Sequence, residues 1–372
     1  MSHAVIPSLG RSGRPRKLEF SDLFLWHPAI ELGLTGFALS DLIGERSPGM
    51  LAVCRDIGRK RNVSLPRLHA CLADMRNMNG GHPMADELAR SLDGNESMLA
   101  SIGLWQCYFY SRSTEGDHWP PRLNAIQQHF VDVEEALKAP TEAFRKNDLA
   151  RCARLLDASA VMALYLWPGA IEQIRSATTS EQVTPVRAVV MLELMLNYIA
   201  AHDAQVTVIG LSAKPEFDGL FPDFPADQSS TPTARFFNWL ADYSGAGKYL
   251  ATYIPQISKP AKDFDLGSAR GQLGRWKRGG AFPSNDVLDA IFLRLYGERA
   301  WEDASSRHKE WALSWAKAYA TRRIDFLVEI VGVLRRVCGP AVPFGFETHQ
   351  DWRANRYLHW YRYWLPLLKP AA

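Results

Sequence analysis

Between Leu266 and Ser284 the sequence LGSARGQLGRWKRGGAFPS carries Arg270, Arg275, Lys277 and Arg278 and no acidic residue. Side chains of this kind at this spacing attract phosphate oxygens, the arginines through paired N–H donors and the lysine as a point charge. At about 100° per helical residue, Ala269, Leu273 and Trp276 share an apolar stripe within about 60° of one another, and the basic groups lie opposite it. Gly271 and Gly274 fall among them. Each interior glycine costs a helix roughly 1 kcal/mol relative to alanine, so two on one polar face imply close approach of another backbone.

Other stretches hold less chemistry. Asp117-His118, with Glu115 nearby in STEGDHWPP, has the atoms for a metal or an acid–base pair, but a loop flanked by Gly and Pro equally accounts for them as solvated polar residues. SGAGK at 244–248 departs from a phosphate loop: Asp242 takes the place of the first glycine and Tyr249 that of the magnesium-binding hydroxyl. The five cysteines, at 54, 71, 107, 152 and 338, form no CxxC pair and predict reduced thiols in a cytoplasm. With no HExxH, no GxSxG and no metal-spaced Cys/His cluster, the sequence implies no cofactor and no metal, and more nearly a binding protein than an enzyme.

The elements that must position the basic segment are helical. Ile126, Phe130, Val133 and Leu137 recur at steps of three and four, as do Leu149, Ala153 and Leu156, so the class is all-α. Val186 to Ala201 (VRAVVMLELMLNYIAA) is too short for a bilayer and includes Glu193 and Asn197, which makes it a buried core helix and predicts no membrane association. Gln205 to Leu211 (QVTVIGL) is the best strand candidate, β-branched and alternating. Trp311, Trp315 and Ala318, then Ile324, Leu327, Val331 and Leu334, predict long helices up to Gly339-Pro340.

Pro215, Pro222, Pro225 and Pro232 each forbid a continuing helix, which predicts a linker over 212–234. The expected order is therefore a flexible basic tail (1–17), a helical N-terminal domain (18–211), the linker, a helical module (235–300) and C-terminal helices packed on it (301–372). The tail, RSGRPRK, could follow a minor groove or remain a disordered arm. At the C-terminus WRANRYLHWYRYW interleaves arginines with aromatics. Such residues can stack on bases, but on helical angles the pattern fits a helix docked on its own domain.

Ser268 can cap the basic helix and Gly279-Gly280 can end it, while Ser258 can cap a preceding helix over 259–266 with Gly267 in the turn. Pro283-Ser284 opens a further helix whose Val287, Leu288, Ile291 and Leu295 would close over Trp276. Leu266-Gly267, Leu273, Trp276, Gly279 and Pro283-Ser284 together resemble the turn, recognition helix and following helix of the lambda-repressor-like (Cro/C1, XRE) helix-turn-helix domains. The resemblance covers about residues 258–296, with Lys262 and Asp263 where that family has a small apolar pair and Lys277 where it has Glu. It implies major-groove contact by Ser268, Arg270, Gln272 and Arg275, to which the basic face adds Lys277 and Arg278. The function expected is DNA binding, as a regulator or a mobile-element or defence component, with a partner or a second copy held by the N-terminal domain. The alternatives are a scaffold whose basic helix meets an acidic protein, and an enzyme with an unrecognised site. The formal net charge of +3 is small, so any attraction for nucleic acid must be local.

Overall fold

The computed structural model describes residues 5–9, 15–19, 122–221, 231–255, 265–279, 282–297, 306–338 and 356–369, with isolated positions between 64 and 73. The fold is all-α. Among the described residues the one sheet is a two-stranded antiparallel hairpin, β1 (Val5–Leu9) with β2 (Pro15–Glu19). The chain falls into two compact units, residues 20–183 and residues 184–372 with 1–19.

The first unit contains α1 (Ala125–Arg145), α2 (Leu149–Asp157) and α3 (Pro168–Ser176). Asn124 and Gln127 cap α1 reciprocally, each side chain accepting from the other's backbone N–H at 2.9 Å. The predicted stripes are all buried: Ile126, Phe130, Val133 and Leu137 on α1, and Leu149, Ala153 and Leu156 on α2. Cys152 is buried beside them with its thiol pushed up to about 12 by burial, with Asp148 adding to the effect, which makes it an inert core residue. His129 lies 2.5 Å from the Tyr165 hydroxyl, and burial holds its imidazole down to about 4 against the pull of Asp132.

The second unit is built on α4 (Thr184–Val208), whose residues from Val186 to Ala201 are all buried. By length and composition α4 could cross a membrane, and 89% of its apolar window is covered inside this unit. The helix runs through the expected strand as far as Val208, so QVTVIGL is not β: burial of Asp203, Ala204 and Val206 overrides local β propensity.

Three of its buried polar residues, Glu193, Asn197 and Asp203, accept hydrogen bonds from α9 (Leu358–Leu368) and the residues just before it. Arg356 donates twice to Glu193, both bonds 2.6 Å, and Trp360 Nε1 donates to the same carboxylate at 2.8 Å. Trp364 Nε1 donates to Asn197, Tyr357 OH to Asp203 at 2.5 Å, and the Tyr361 and Thr207 hydroxyls share a bond of 2.8 Å. The aromatic C-terminal segment is thus docked on its own unit, with its indole N–H groups facing inward.

The expected linker is partly core. Phe217, Leu220 and Phe221 are buried, and the N–H groups of Glu216 and Phe217 donate to Asp203 at 3.0 and 3.1 Å. Residues 222–230 lie outside the described residues. The division of the chain comes earlier, at Val183/Thr184, because a proline ends a helix without ending a hydrophobic core. Glu216 also pairs with the buried Lys317 at 2.8 Å, whose ammonium lies 4.2 Å over the Trp239 ring. Burial pushes Lys317 down against Glu216 and Asp203. Burial alone would raise Glu216, but Lys317, Ser212 and Lys214 leave it below the ordinary carboxylate range.

Asp203 joins α4, the 212–221 segment and Tyr357, and burial raises its carboxyl to about 6 despite those three donors. A raised carboxyl favours the protonated folded state, so its contribution to stability is complete below the ordinary value of 3.8 and is lost as pH rises through about 6. Chemical denaturation of wild type should therefore show a fall across that window, by about 1.4 kcal/mol per pH unit at most. Asp203→Asn should lack that component, and an unchanged pH profile in the variant would contradict the assignment.

Candidate nucleic-acid interface

Three helices and a short 3₁₀ helix frame the basic segment: α5 (Pro232–Tyr243), the 3₁₀ helix Gly247–Tyr253, α6 (Leu266–Lys277) and α7 (Asn285–Tyr296). Behind them runs α8 (Ser306–Cys338); Gly339-Pro340, where the sequence predicts its end, lies outside the described residues. Of the expected stripe, Ala318 is buried while Trp311 and Trp315 are half-buried, and Ile324, Leu327 and Val331 are buried as the sequence predicts.

α6 starts earlier than the capping residue Ser268 predicts. Asp265 is the N-cap, its carboxylate accepting from Gly267 N–H at 2.9 Å. An aspartate accepts this bond at least as well as a serine, and its charge suits a helix N-terminus. Gly267 therefore sits in the first turn of α6 rather than in a turn between helices, and Ser268 lies within the helix. The segment expected as the preceding helix, 259–264, lies outside the described residues. The other end is as predicted: Gly279 has φ 80° and donates to the Trp276 carbonyl at 3.0 Å.

Ala269 and Trp276 are buried, and Leu273 is half-buried at the margin of their stripe. Trp276 stacks on Phe237 of α5, centroids 5.5 Å apart and planes 11° apart, while α7 turns Phe292 to Trp315 and bonds Tyr296 to Ser314 at 2.8 Å. Thr231 fastens the junction of α5 and α6: its hydroxyl donates to the Lys277 carbonyl at 2.9 Å and accepts from Ala234 N–H at 3.0 Å. Arg322 of α8 fixes the start of α7 through Asn285 and the Pro283 carbonyl, both at 2.7 Å, with its guanidinium 5.0 Å from the Phe282 ring.

The six predicted contact residues separate on this frame. Ser268, Arg270, Arg275 and Arg278 are exposed, and Gln272 is half-buried on the flank next to Trp276. Lys277 is turned inward. Its ammonium donates to Asn238 of α5 at 2.7 Å, and partial burial lowers its pKa against the opposing pull of Asp242. Nothing local in the sequence separates Lys277 from its basic neighbours, because Asn238 lies 39 residues away.

On the outer arc, Gly267, Gly271, Gly274 and Arg278 fall within about 60°, with Arg270 and Arg275 on flanks about 140° apart. Among the described residues, no atom other than the helix's own backbone stands within 4 Å of where a Cβ of Gly271 would lie. At Gly274 the Cβ position is 3.3 Å from Arg278 Nη1, so the bare backbone there lets Arg278 fold back along the helix. Arg270, Arg275 and Arg278 meet no carboxylate among the described residues. Comparison with protein-family models, with curated proteins and with solved structures finds no match for this chain.

Proposed function

We propose that the protein binds duplex DNA through the exposed face of α6, laid in the major groove with Arg270 and Arg275 on its flanks and Arg278 along its centre. The observation that carries this reading is the set of three exposed arginines without carboxylate partners among the described residues, around a line of bare glycines. Ser268 and Gln272 supply further polar groups on one flank. Lys277 holds α6 to α5 and stays out of the contact set. The reading rests on the charge and exposure of α6 rather than on the helix-turn-helix resemblance, since Gly267 lies inside the helix.

The test is a duplex titration at several salt concentrations. Each arginine that neutralises a phosphate should contribute about −0.9 to the slope of log K against log salt. Arg275→Ala and Arg278→Ala should each flatten the slope by about that amount, whereas Lys277→Ala should leave it unchanged. Arg270→Ala should flatten it too if it meets phosphate, or cost roughly 1–3 kcal/mol at a preferred sequence if it reads a guanine edge. Gly271→Leu fills space that is open in the free protein, so weakened binding without lost stability would place the partner against that backbone. A folded wild type that ignores duplex DNA at low salt overturns the proposal and favours an acidic protein partner.

A further inference from the structure

The 3₁₀ helix that packs on α6 carries an aromatic ring that the fold leaves outside. The chain leaves α5 through Gly245 and Gly247, both at positive φ (70° and 50°), and enters the 3₁₀ helix whose Leu250 and Ala251, with Ile254 after it, are buried. That helix packs against α5, α6 and α7. On so anchored a segment Tyr249 is 60% exposed, the Lys248 ammonium lies 5.3 Å from its ring centroid, and from Tyr243 to Ser258 the sequence has no acidic residue.

We propose that Tyr249, with Lys248, is a stacking platform for an unpaired base, so that the preferred ligand is duplex DNA with an adjoining single-stranded segment. The proposal rests on the DNA reading of α6 and deepens it. An aromatic face takes any base, because every base has a π-face. A lysine next to it in the chain answers the phosphate that accompanies the base, and the arginines of α6, against which this 3₁₀ helix packs, hold the paired part of the same ligand. A ring on an anchored segment is already positioned, so little ordering accompanies stacking.

The experiment is fluorescence anisotropy with three labelled probes: a blunt duplex, the same duplex with a short single-stranded extension, and the duplex with an abasic extension of equal charge. Wild type should bind the extended duplex tighter than the blunt one by tenfold or more, the range that stacking one base commands. The abasic extension should bring little of that gain. Tyr249→Ala should erase the preference without changing blunt-duplex affinity, and Tyr249→Phe should keep it. Equal wild-type affinities for blunt and extended probes would overturn the platform while leaving the DNA reading intact, and so would a Tyr249→Ala variant that weakens both probes alike. Binding to none of the probes would overturn both.

Discussion

Arg356→Ala is expected to destabilise the unit containing α4 and α9 by about 3–5 kcal/mol, as removal of one partner from a buried ion pair does. The Glu193 side chain is 4% exposed, and its oxygens accept three bonds, two of them from Arg356. Without the guanidinium a buried carboxylate is left with one indole donor. Arg356 itself, with 36% of its side chain exposed, can return to water more easily, so the burden falls on the glutamate. Replacing both partners with leucine should cost less than the sum of the two single changes, since it removes the stranded charge. The Trp360 N–H is then unsatisfied, at roughly 1–3 kcal/mol. Urea denaturation of the two single variants and the double variant measures the coupling. Additive effects would mean that Glu193 and Arg356 are solvated independently and that α9 is held by its rings and its other hydrogen bonds.

How far this seam could be anticipated separates two kinds of sequence signal. Glu193 and Asn197 are conspicuous in an otherwise apolar helix, and the angular spread of the C-terminal aromatics points to docking. What stays hidden is that the two features answer one another across more than 160 residues, because periodicity reports which face is buried and not against what. The same limit applies to Trp276: its stripe predicts burial, but not that α5 supplies the stacked ring of Phe237. At 205–211 the β-branched run suggested a strand where burial sustains a helix, and Pro215 marked the end of an element inside a continuing core. At the start of α6 the sequence pattern pointed to Ser268, whereas Asp265, three residues earlier, is the cap. Of the basic face, the charge was legible and the inward turn of Lys277 was not.

Trp276→Ala should destabilise the second unit by about 3–5 kcal/mol, the usual cost of truncating a buried tryptophan. Trp276 is 7% exposed and stacked on Phe237, a pair that adds about 0.5–1.5 kcal/mol beyond the area it buries. The loss should concentrate where the contact is. α6 has only Ala269 and Trp276 fully buried, and three of its twelve residues are glycine, so its intrinsic helicity is low and its attachment to α5 depends on this ring. Amide exchange should therefore rise first in α6, while α4, held by its own core and by α9, stays protected longer. Duplex affinity should fall with the fraction of molecules that keep α6 docked and should recover on cooling, whereas Arg275→Ala should weaken binding at every temperature with no change in exchange. Trp276→Phe, which keeps a ring against Phe237, should retain most of both properties. If Trp276→Ala leaves α6 exchange at the wild-type rate, the helix is held by other means. If it abolishes binding while α6 remains protected, the indole belongs to the interface and not to the core.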